Sequence, residues 1–553
     1  MTTTAENIPA EEPPASISVD QQWGRVLICG GTDWPKLGRK ERGGKSEKDE
    51  SENPDLLEPH ILRSLSNVKI SSIHASCCGC HFIAIDTDGA AWMFGRNGPS
   101  APLGVTGVDA ISEKVPRRLR ASDLGAPEYA KFVDAACGRG HSLLVDSEGQ
   151  VWSAGINNHG QCGHSVCAQV STFKLVDGPF HNGARERVIK AAAGITFSVV
   201  LTESGKVFTF GSGEKGQLGN GRTGEHIVTG NKTAYDIEVE PIRVRGLDDK
   251  KIVQISCGQQ HTVALDSQGL VYVWGYNGYC RLGLGNQQDV LIPKIVPQFA
   301  GPNEATMGAH VFAGPSNTAI IDNQKMYWMA GKWKNSGEGS SGSPYSSFRF
   351  MQDIMACKMS NASCGGVTHF ALTDDDDGGT MTVAWGQNAA NGELGLGPDE
   401  PKSATKPTRH QPLSGIQVFS IAAGQNTTLF LAKPNSKLSD LPRHPVEVEA
   451  PDLCVVCEKD NGDDDPALEC DKCDHPYHLG CLKPPLSAIP EGEWFCPKCV
   501  SDQAALSGPS KNGKPKRVPR LNPNTRGSER RLPPRRKDRQ SAKSNSKGLH
   551  MDE

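Results

Sequence analysis

The stretch CGQQHTVALDSQGLVYVWGYNGYCRLG at residues 257–283 decides the fold. Its two apolar runs, VALD and VYVWG, are rich in β-branched and aromatic residues and therefore predict β-strands. The DSQG segment between them suits a tight turn, because glycine adopts positive φ at little steric cost. We therefore expect an antiparallel hairpin with a Cys-Gly pair before it and a Leu-Gly pair after it.

This pattern recurs along the chain. Further copies begin at Cys77, Cys137, Ala193, Ala313 and Cys364, and a half copy begins at Ala423. Aligning the histidine of residues 257–283 gives one position per copy: His81, His141, Phe197, His261, Asn317, Thr368 and Thr427. These positions are 51 to 64 residues apart. Periods near 50 indicate a propeller or a solenoid, because one unit cannot bury both of its faces alone.

The half copy has a partner at the other end of the chain. Residues 23–30, WGRVLICG, read as the second half of a unit. They would complete the blade begun by Val418 to Leu431, so that six whole units and one shared unit give seven blades. Sharing a blade closes the ring and removes an open sheet edge. The copy at Ala313 departs most from the pattern.

Composition narrows the functional classes. Glycine supplies 61 of 553 residues, and net charge is −4. No apolar run approaches the ~20 residues that a membrane span needs, and the start of the chain lacks a secretory pattern. We expect a reducing compartment, in which the 18 cysteines stay thiols or bind metal. There is no nucleophile–base–acid set, phosphate loop or dinucleotide fingerprint, so we predict no catalytic residues and no enzyme.

The repeats resemble the regulator of chromosome condensation family of seven-bladed propellers over about 410 residues. Within it, VLICGGTDWPKLGRK (26–40) and LDSQGLVYVWGYNGYCRLG (265–283) are similar to the second, telophase-disc-type branch, as is the insertion around Tyr235-Asp236. The resemblance implies a protein partner for the propeller, either a small GTPase or mitotic chromatin. Cysteines and histidines in the repeats are expected to be packing positions, because Ala193 and Phe197 replace them in one copy.

A second module follows the repeats. In residues 454–499 the potential zinc ligands come in the order four cysteines, one histidine and three cysteines. Their spacing is CxxC, twelve residues, CxxC, four residues, HxxC, fourteen residues and CxxC. Zinc in structural sites takes four thiolate or imidazole ligands in a tetrahedron, so eight ligands predict two Zn²⁺ ions. A segment of about 50 residues has little core, and metal must supply its folding energy.

The ligand order and Trp494 resemble the plant homeodomain (PHD) finger, whereas a RING finger places its histidine fourth. That order, and the lack of an appended catalytic domain, weakens a ubiquitin-ligase interpretation. The resemblance implies a cross-brace of two interleaved zinc sites. Their ligands are Cys454, Cys457, His478 and Cys481 in one site, and Cys470, Cys473, Cys496 and Cys499 in the other.

PHD fingers commonly bind the histone H3 tail as an added strand, here beside Ala467-Leu468-Glu469. Pro476 stands where methyl-lysine readers carry a tryptophan, so we expect a preference for the tail unmethylated at its fourth residue. In this hypothesis, the lysine at position four of the tail faces Asp463, Asp464 and Asp465. The arginine at position two faces Asp471 and Asp474. Backbone carbonyls near Ile489-Pro490-Glu491-Gly492 hold the free amine of the tail. The alternative is that these acids are solvated loop charge.

The tail is basic: residues 511–553 carry fourteen Lys/Arg and four Asp/Glu, a net +10 that leaves −14 for the rest. Lys514–Arg517 and Arg535–Lys537 suit nuclear import or sequence-blind nucleic-acid contact, and few apolar residues accompany them. We predict an all-β chain: a disordered start (1–20), a propeller (21–433), a linker (434–450), a PHD-type finger (451–502) and a disordered basic tail (503–553).

These features favour a nuclear chromatin adaptor. Its finger would read the histone H3 tail, its propeller would bind a protein, and no membrane would be involved. The alternative function is a guanine-nucleotide exchange factor or regulator for a small GTPase, acting in mitosis or chromosome condensation. Such factors deform their partner's nucleotide site and need no catalytic triad.

Overall fold

The structure is a computed structural model, and it describes residues 22–38, 53–180, 186–375, 379–460, 467–490 and 492–507. Most regular elements in this part are β-strands, joined by short 3₁₀ turns, and the α-helices are α1 (Ser436–Ser439) and α2 (Pro497–Ser507). None of the described helices combines the length and the apolar character needed to cross a bilayer. The predicted all-β class is therefore confirmed.

The strands are numbered in chain order and form seven blades. The closing blade takes β1 (Arg25–Gly30) and β2 (Leu56–Leu62). Blade one holds β3 (Ile70–His74), β4 (His81–Asp86), β5 (Ala91–Arg96), β6 (Ala110–Ile111) and β7 (Arg117–Leu119). Blade two holds β8 (Phe132–Cys137), β9 (His141–Asp146), β10 (Val151–Asn157) and β11 (Cys167–Leu175). Blade three holds β12 (Val188–Ala193), β13 (Phe197–Thr202), β14 (Val207–Ser212) and β17 (Ile237–Arg243), with the inserted hairpin β15 (His226–Val228) and β16 (Lys232–Ala234).

The remaining blades follow the same plan. Blade four holds β18 (Ile252–Cys257), β19 (His261–Asp266), β20 (Val271–Gly275) and β21 (Val290–Ile295). Blade five holds β22 (Gly308–Ala313), β23 (Asn317–Asp322), β24 (Tyr327–Gly331) and β25 (Tyr345–Phe350), so the most divergent copy still forms four strands. Blade six holds β26 (Met359–Cys364), β27 (Thr368–Asp374), β28 (Thr380–Gly386) and β29 (Ala404–Arg409).

The closing blade joins the two ends of the repeat region. Its first strands are β30 (Val418–Ala423) and β31 (Thr427–Ala432), and its order is β30-β31-β1-β2. β1 runs antiparallel to β31, with Leu27 opposite Phe430. This confirms the predicted sharing of a blade. A short strand after the ring, β32 (Arg443–His444), runs parallel to the outer edge of β2.

The repeated histidines hold neighbouring blades together. Nε2 of His81 lies 2.9 Å from the Ser142 hydroxyl of the next blade, and Nε2 of His141 lies 3.0 Å from Ser198. His261 makes the corresponding contact with Thr318 at 3.0 Å. Burial lowers the pKa of His81 to about 4, so its imidazole stays neutral at ordinary pH. These positions therefore serve packing between blades.

An aspartate organises the turn between the second and third strands of several blades. Asp146 Oδ1 accepts the backbone N–H groups of Glu148 and Gln150, and its Oδ2 accepts the indole N–H of Trp152 at 2.9 Å. Asp86 with Trp92 and Asp322 with Trp328 repeat the arrangement. Blade three has Thr202 and Phe208 at the two positions, and a phenyl ring needs no acceptor. The turn motif of the sequence is thus also a side-chain bridge.

The finger has two strands, β33 (Leu468–Glu469) and β34 (Pro476–Tyr477), and ends on α2. The two strands pair with each other. The predicted domain boundaries remain predictions, and most of residues 1–20 and 503–553 lie outside the described residues.

Candidate zinc centres and peptide-binding edge

The first ligand group combines residues from the start and the middle of the finger. One ligand atom each of Cys454, Cys457, His478 and Cys481 lies within 4.8 Å of the other three. His478 Nδ1 is 3.3 Å from Cys457 Sγ and 3.9 Å from Cys481 Sγ. The backbone N–H of His478 donates to Cys454 Sγ at 3.4 Å, which favours the thiolate.

The second group is Cys470, Cys473, Cys496 and Cys499, with the same mutual limit of 4.8 Å. Cys473 Sγ and Cys496 Sγ are 3.7 Å apart, and two thiolates at ~2.3 Å from one zinc in a tetrahedron stand about 3.8 Å apart. The Cys496 N–H donates to Cys470 Sγ at 3.2 Å. The distances and donor types in both groups fit Zn²⁺.

The two groups interleave along the chain as the sequence predicted. No other group of three or more potential ligands in the described ranges meets the same distance limit. The finger is therefore a cross-brace for two Zn²⁺ ions, and these ions connect segments that share little apolar contact.

Beside the second zinc site lies the predicted peptide-binding edge. Within the described residues β33 has a single paired neighbour, β34, in which Pro476 stands opposite Glu469. Leu468 is half-buried and Glu469 is exposed. Trp494 packs edge-on against Tyr477 at 5.7 Å, so it belongs to the small core of the finger.

The predicted carboxylates have different surroundings. Asp463, Asp464, Asp465 and Glu491 lie outside the described residues. Pro490 is half-buried and Gly492 is exposed. Asp471 and Asp474, assigned in the hypothesis to an arginine of the tail, each face an arginine from elsewhere in this chain.

Arg63 meets Asp474 through two bonds. Its Nη1 and Nη2 donate to the two carboxylate oxygens at 2.6 and 2.8 Å. Arg63 directly follows β2 and comes from the ring, 411 residues away in sequence. Parallel bonds between a guanidinium and a carboxylate are among the stronger pairs in proteins. Arg63 therefore attaches the finger to the closing blade.

Arg443 forms the second pair. Its Nη2 contacts Asp471 Oδ1, while Asp471 Oδ2 accepts the backbone N–H of Trp494 at 2.6 Å. β32 pairs with β2, and Arg443 stands opposite Ile61, two residues before Arg63 in sequence. The closing blade thus presents two guanidinium groups to the second zinc knuckle.

A third pair and an amide complete the contact. Arg25 Nε donates to Glu493 at 2.8 Å, and both side chains are less than a tenth exposed. Asn67 donates to the Cys499 carbonyl at 2.9 Å and accepts from Lys472 Nζ at 2.8 Å. Burial lowers the pKa of Lys472. Three arginines of the closing blade therefore meet three carboxylates of the finger.

The buried carboxylate of Glu113 binds His444 of the linker, residues 434–450, to the ring. Glu113 accepts from the Trp34 indole at 2.5 Å, and His444 Nε2 lies 2.6 Å from its other oxygen. Burial opposes ionisation of Glu113, but the hydrogen bonds from His444 and Trp34 outweigh it and lower its pKa. Sequence reasoning missed these residues, because no local pattern links positions 331 residues apart.

Comparison with known proteins agrees with both modules. Residues 25–430 match the RCC1-like domain. The chain belongs to the RCC1-like domain family. Residues 454–499 match the PHD-finger family, which confirms the second resemblance.

Curated relatives of this RCC1-like protein include Protein RCC2. The mouse protein is 29% identical over 442 residues, which cover 76% of this chain and 80% of the mouse protein. The human protein has the same identity and 79% coverage of its own length. The predicted second-paralogue branch is confirmed by these relatives.

Solved structures support the fold. Human WBSCR16 aligns with a TM-score of 0.58 at 21% identity, covering 74% of this chain and 99% of WBSCR16. Yeast RCC1 (Prp20), solved bound to Kap60, also gives 0.58, at 18% identity over 79% of this chain and 98% of the yeast chain. At these identities the comparison concerns the propeller architecture alone.

Proposed function

We propose that this protein is a nuclear chromatin adaptor whose PHD finger binds the amino-terminal tail of histone H3, while its propeller binds a second protein. The proposal depends on the edge of β33 that has no partner strand among the described residues. Leu468 and Glu469 pair with β34 on one side, and an extended peptide can add to the other side through backbone hydrogen bonds. Zinc coordination at the adjacent Cys470 holds this edge in place.

Selectivity for an unmethylated lysine is proposed from Pro476 of β34 and from the sequence that precedes β33. Pro476 is buried in β34 and offers no aromatic face to a methylated ammonium group. Two residues separate the acidic residues Asp463–Asp465 from β33 in sequence. An unmethylated ammonium donates three hydrogen bonds to such carboxylates, and trimethylation removes all three donors. We therefore propose that the finger prefers the unmodified tail.

Two further features support a chromatin location. The basic clusters Lys514–Arg517 and Arg535–Lys537 would add salt-sensitive phosphate affinity or direct nuclear import. Prp20p from Saccharomyces cerevisiae, whose structure aligns with a TM-score of 0.56 at 19% identity, has been described together with its binding properties to Gsp1p and histones. In the proposal, the finger and the tail of this chain share the chromatin contact.

Calorimetry with the zinc-loaded full-length chain tests the proposal. The ligands are 12-residue H3 amino-terminal peptides, unmodified or trimethylated at the fourth residue. We expect the unmodified peptide to bind about tenfold tighter, because trimethylation removes the charged hydrogen bonds of the lysine ammonium. An Asp464→Asn variant should lose most of this difference, whereas Asp452→Asn should keep it. Equal or tighter binding of the trimethylated peptide would refute the selectivity, and absence of heat with both peptides would refute tail binding.

The alternative function, regulation of nucleotide exchange on a small GTPase, depends on family membership. It predicts that catalytic amounts of the chain accelerate nucleotide release from a purified GTPase. A panel of labelled-nucleotide GTPases gives the direct measurement. An adaptor would leave every release rate unchanged while still binding histone peptide.

A further inference from the structure

The two arginines at the second zinc knuckle are bonded very differently. Arg63 has five N–H donors, and all five are used: two on Asp474, and one each on the carbonyls of Lys472, Pro445 and Val446. Its side chain is 8% exposed. Arg63 therefore anchors the finger to the ring, because displacing the finger would break its three bonds to Lys472 and Asp474.

Arg443 is bonded much less completely. Its Nη2 contacts Asp471, but its Nε is buried and has no hydrogen-bond partner within the described residues. The side chain is 26% exposed, which makes it reachable from solvent. A buried donor without a partner is costly, so this guanidinium gains little by staying where it is.

Asp471 is held ready for a guanidinium. Its Oδ2 is fixed by the Trp494 N–H, and this bond orients Oδ1 toward Arg443. The carboxylate follows Cys470 directly, and Leu468–Glu469, whose outer edge has no partner strand in the described part of the chain, precedes that cysteine. A peptide added to this edge would thus carry its side chains past Asp471.

We propose that Arg443 is an internal stand-in for the arginine of the bound tail, and that the tail's arginine takes Asp471 from it while Arg63 keeps the finger docked. This inference rests on the proposed function, and it specifies how that site is regulated. Arg443 competes with every arginine-bearing peptide and lowers its apparent affinity. Peptides without arginine at this position do not need to displace Arg443 from Asp471, so Arg443 does not lower their affinity.

Fluorescence anisotropy with the full-length zinc-loaded chain tests the exchange. The probes are the unmodified 12-residue H3 peptide and the same peptide with alanine at position two. For Arg443→Gln we expect about tenfold tighter binding of the arginine peptide, corresponding to the loss of one charged competitor, and unchanged binding of the alanine peptide. Arg349→Gln removes an equal charge from an exposed pair with Glu338 and serves as the matched control.

The outcomes separate the two proposals. If the wild-type chain binds the arginine peptide but Arg443→Gln does not improve it, or improves both peptides equally, the exchange is wrong and tail binding stands. If neither chain binds either peptide, tail binding is wrong and the exchange fails with it. Two zinc ions per chain in each variant, measured by elemental analysis, show that the finger is intact in every comparison.

Discussion

The propeller and the finger are stabilised in opposite ways. Each blade packs large side chains against its neighbours, and Trp274, Phe370 and Phe430 are fully buried. The buried apolar cluster of the finger consists of Tyr477, Leu482 and three zinc-binding cysteines. The ring therefore relies on burial repeated seven times, whereas the finger relies on coordination and on ion pairs with the ring.

The largest expected effect is the removal of a zinc ligand. Cys470→Ser should reduce the zinc content from two ions toward one and unfold the finger, because structural zinc contributes about 10 kcal/mol or more to such modules. The ring should keep its own melting transition, since its core contains no ligand. Elemental analysis and limited proteolysis measure the two halves of this prediction.

Cys257→Ser is the control for that experiment, because this half-buried thiol belongs to blade four. It should retain two zinc ions. Loss of the ring's transition in Cys470→Ser would contradict the comparison, since it would mean that the finger's metal also holds the propeller.

The next largest effect concerns the core of the ring. Phe430 lies opposite Leu27 in the closing blade and packs edge-on against Phe370 at 5.5 Å. Phe430→Ala should lower the free energy of unfolding of the ring by about 4 kcal/mol through lost burial and a new cavity. Urea unfolding measures the change, and zinc content should remain at two ions.

Tyr129→Ala is the matched control, because this aromatic side chain is 69% exposed. It should change the stability of the ring by less than about 0.5 kcal/mol. A similar loss in both variants would argue against closure of the ring by packing of β1 on β31.

A third prediction concerns the pH dependence of the stability of the ring, which contains a buried carboxyl group at Glu393. Glu393 is 1% exposed, and burial raises its pKa from 4.5 to about 7. Below pH 4.5 both folded and unfolded states are protonated. As pH rises from 4.5 to 7, Glu393 ionises first in the unfolded state. The free energy of unfolding of the ring therefore falls by up to about 3 kcal/mol and stays constant at higher pH. Blades two and three have the neutral Gln161 and Gln217 at the same position.

The free energy of unfolding of Glu393→Gln should therefore equal that of the wild type near pH 4.5 and exceed it by about 3 kcal/mol above pH 7. Urea unfolding of the ring across this range is the measurement. Parallel curves at every pH would show that the carboxyl of Glu393 titrates normally in the folded ring.

The sequence is informative where one local pattern determines the structure. The spacing from Cys454 to Cys499 predicts the eight zinc ligands, since CxxC and HxxC fix which side chains can reach one metal. The recurring turn and the half copy at Ala423 predict seven blades, because a ring must pair its last strand with its first. Both predictions use interactions that repeat or lie close together in the chain.

The docking of the finger on the ring has no such pattern. Arg63 and Asp474 are 411 residues apart, and Arg25 and Glu493 are 468 apart. Any exposed arginine could pair with any carboxylate, and nothing local in the sequence selects these partners. The hypothesis for Asp471 and Asp474 selected carboxylates that do bind guanidinium groups, but sequence reasoning did not find the internal arginines.

The smallest effect tests whether the repeats are held by side-chain bridges as well as by burial. Trp152→Phe leaves Asp146 Oδ2 without its indole donor and should cost about 2 kcal/mol, as for a hydrogen bond to a charged group. Blade three suggests the compensation, because it has Thr202 and Phe208 at these positions. Asp146→Thr combined with Trp152→Phe should therefore recover most of the loss, measured by urea unfolding of the ring. A double variant no more stable than Trp152→Phe would show that the bridge is specific to blade two, and that the seven blades are less interchangeable than their repeated sequence indicates.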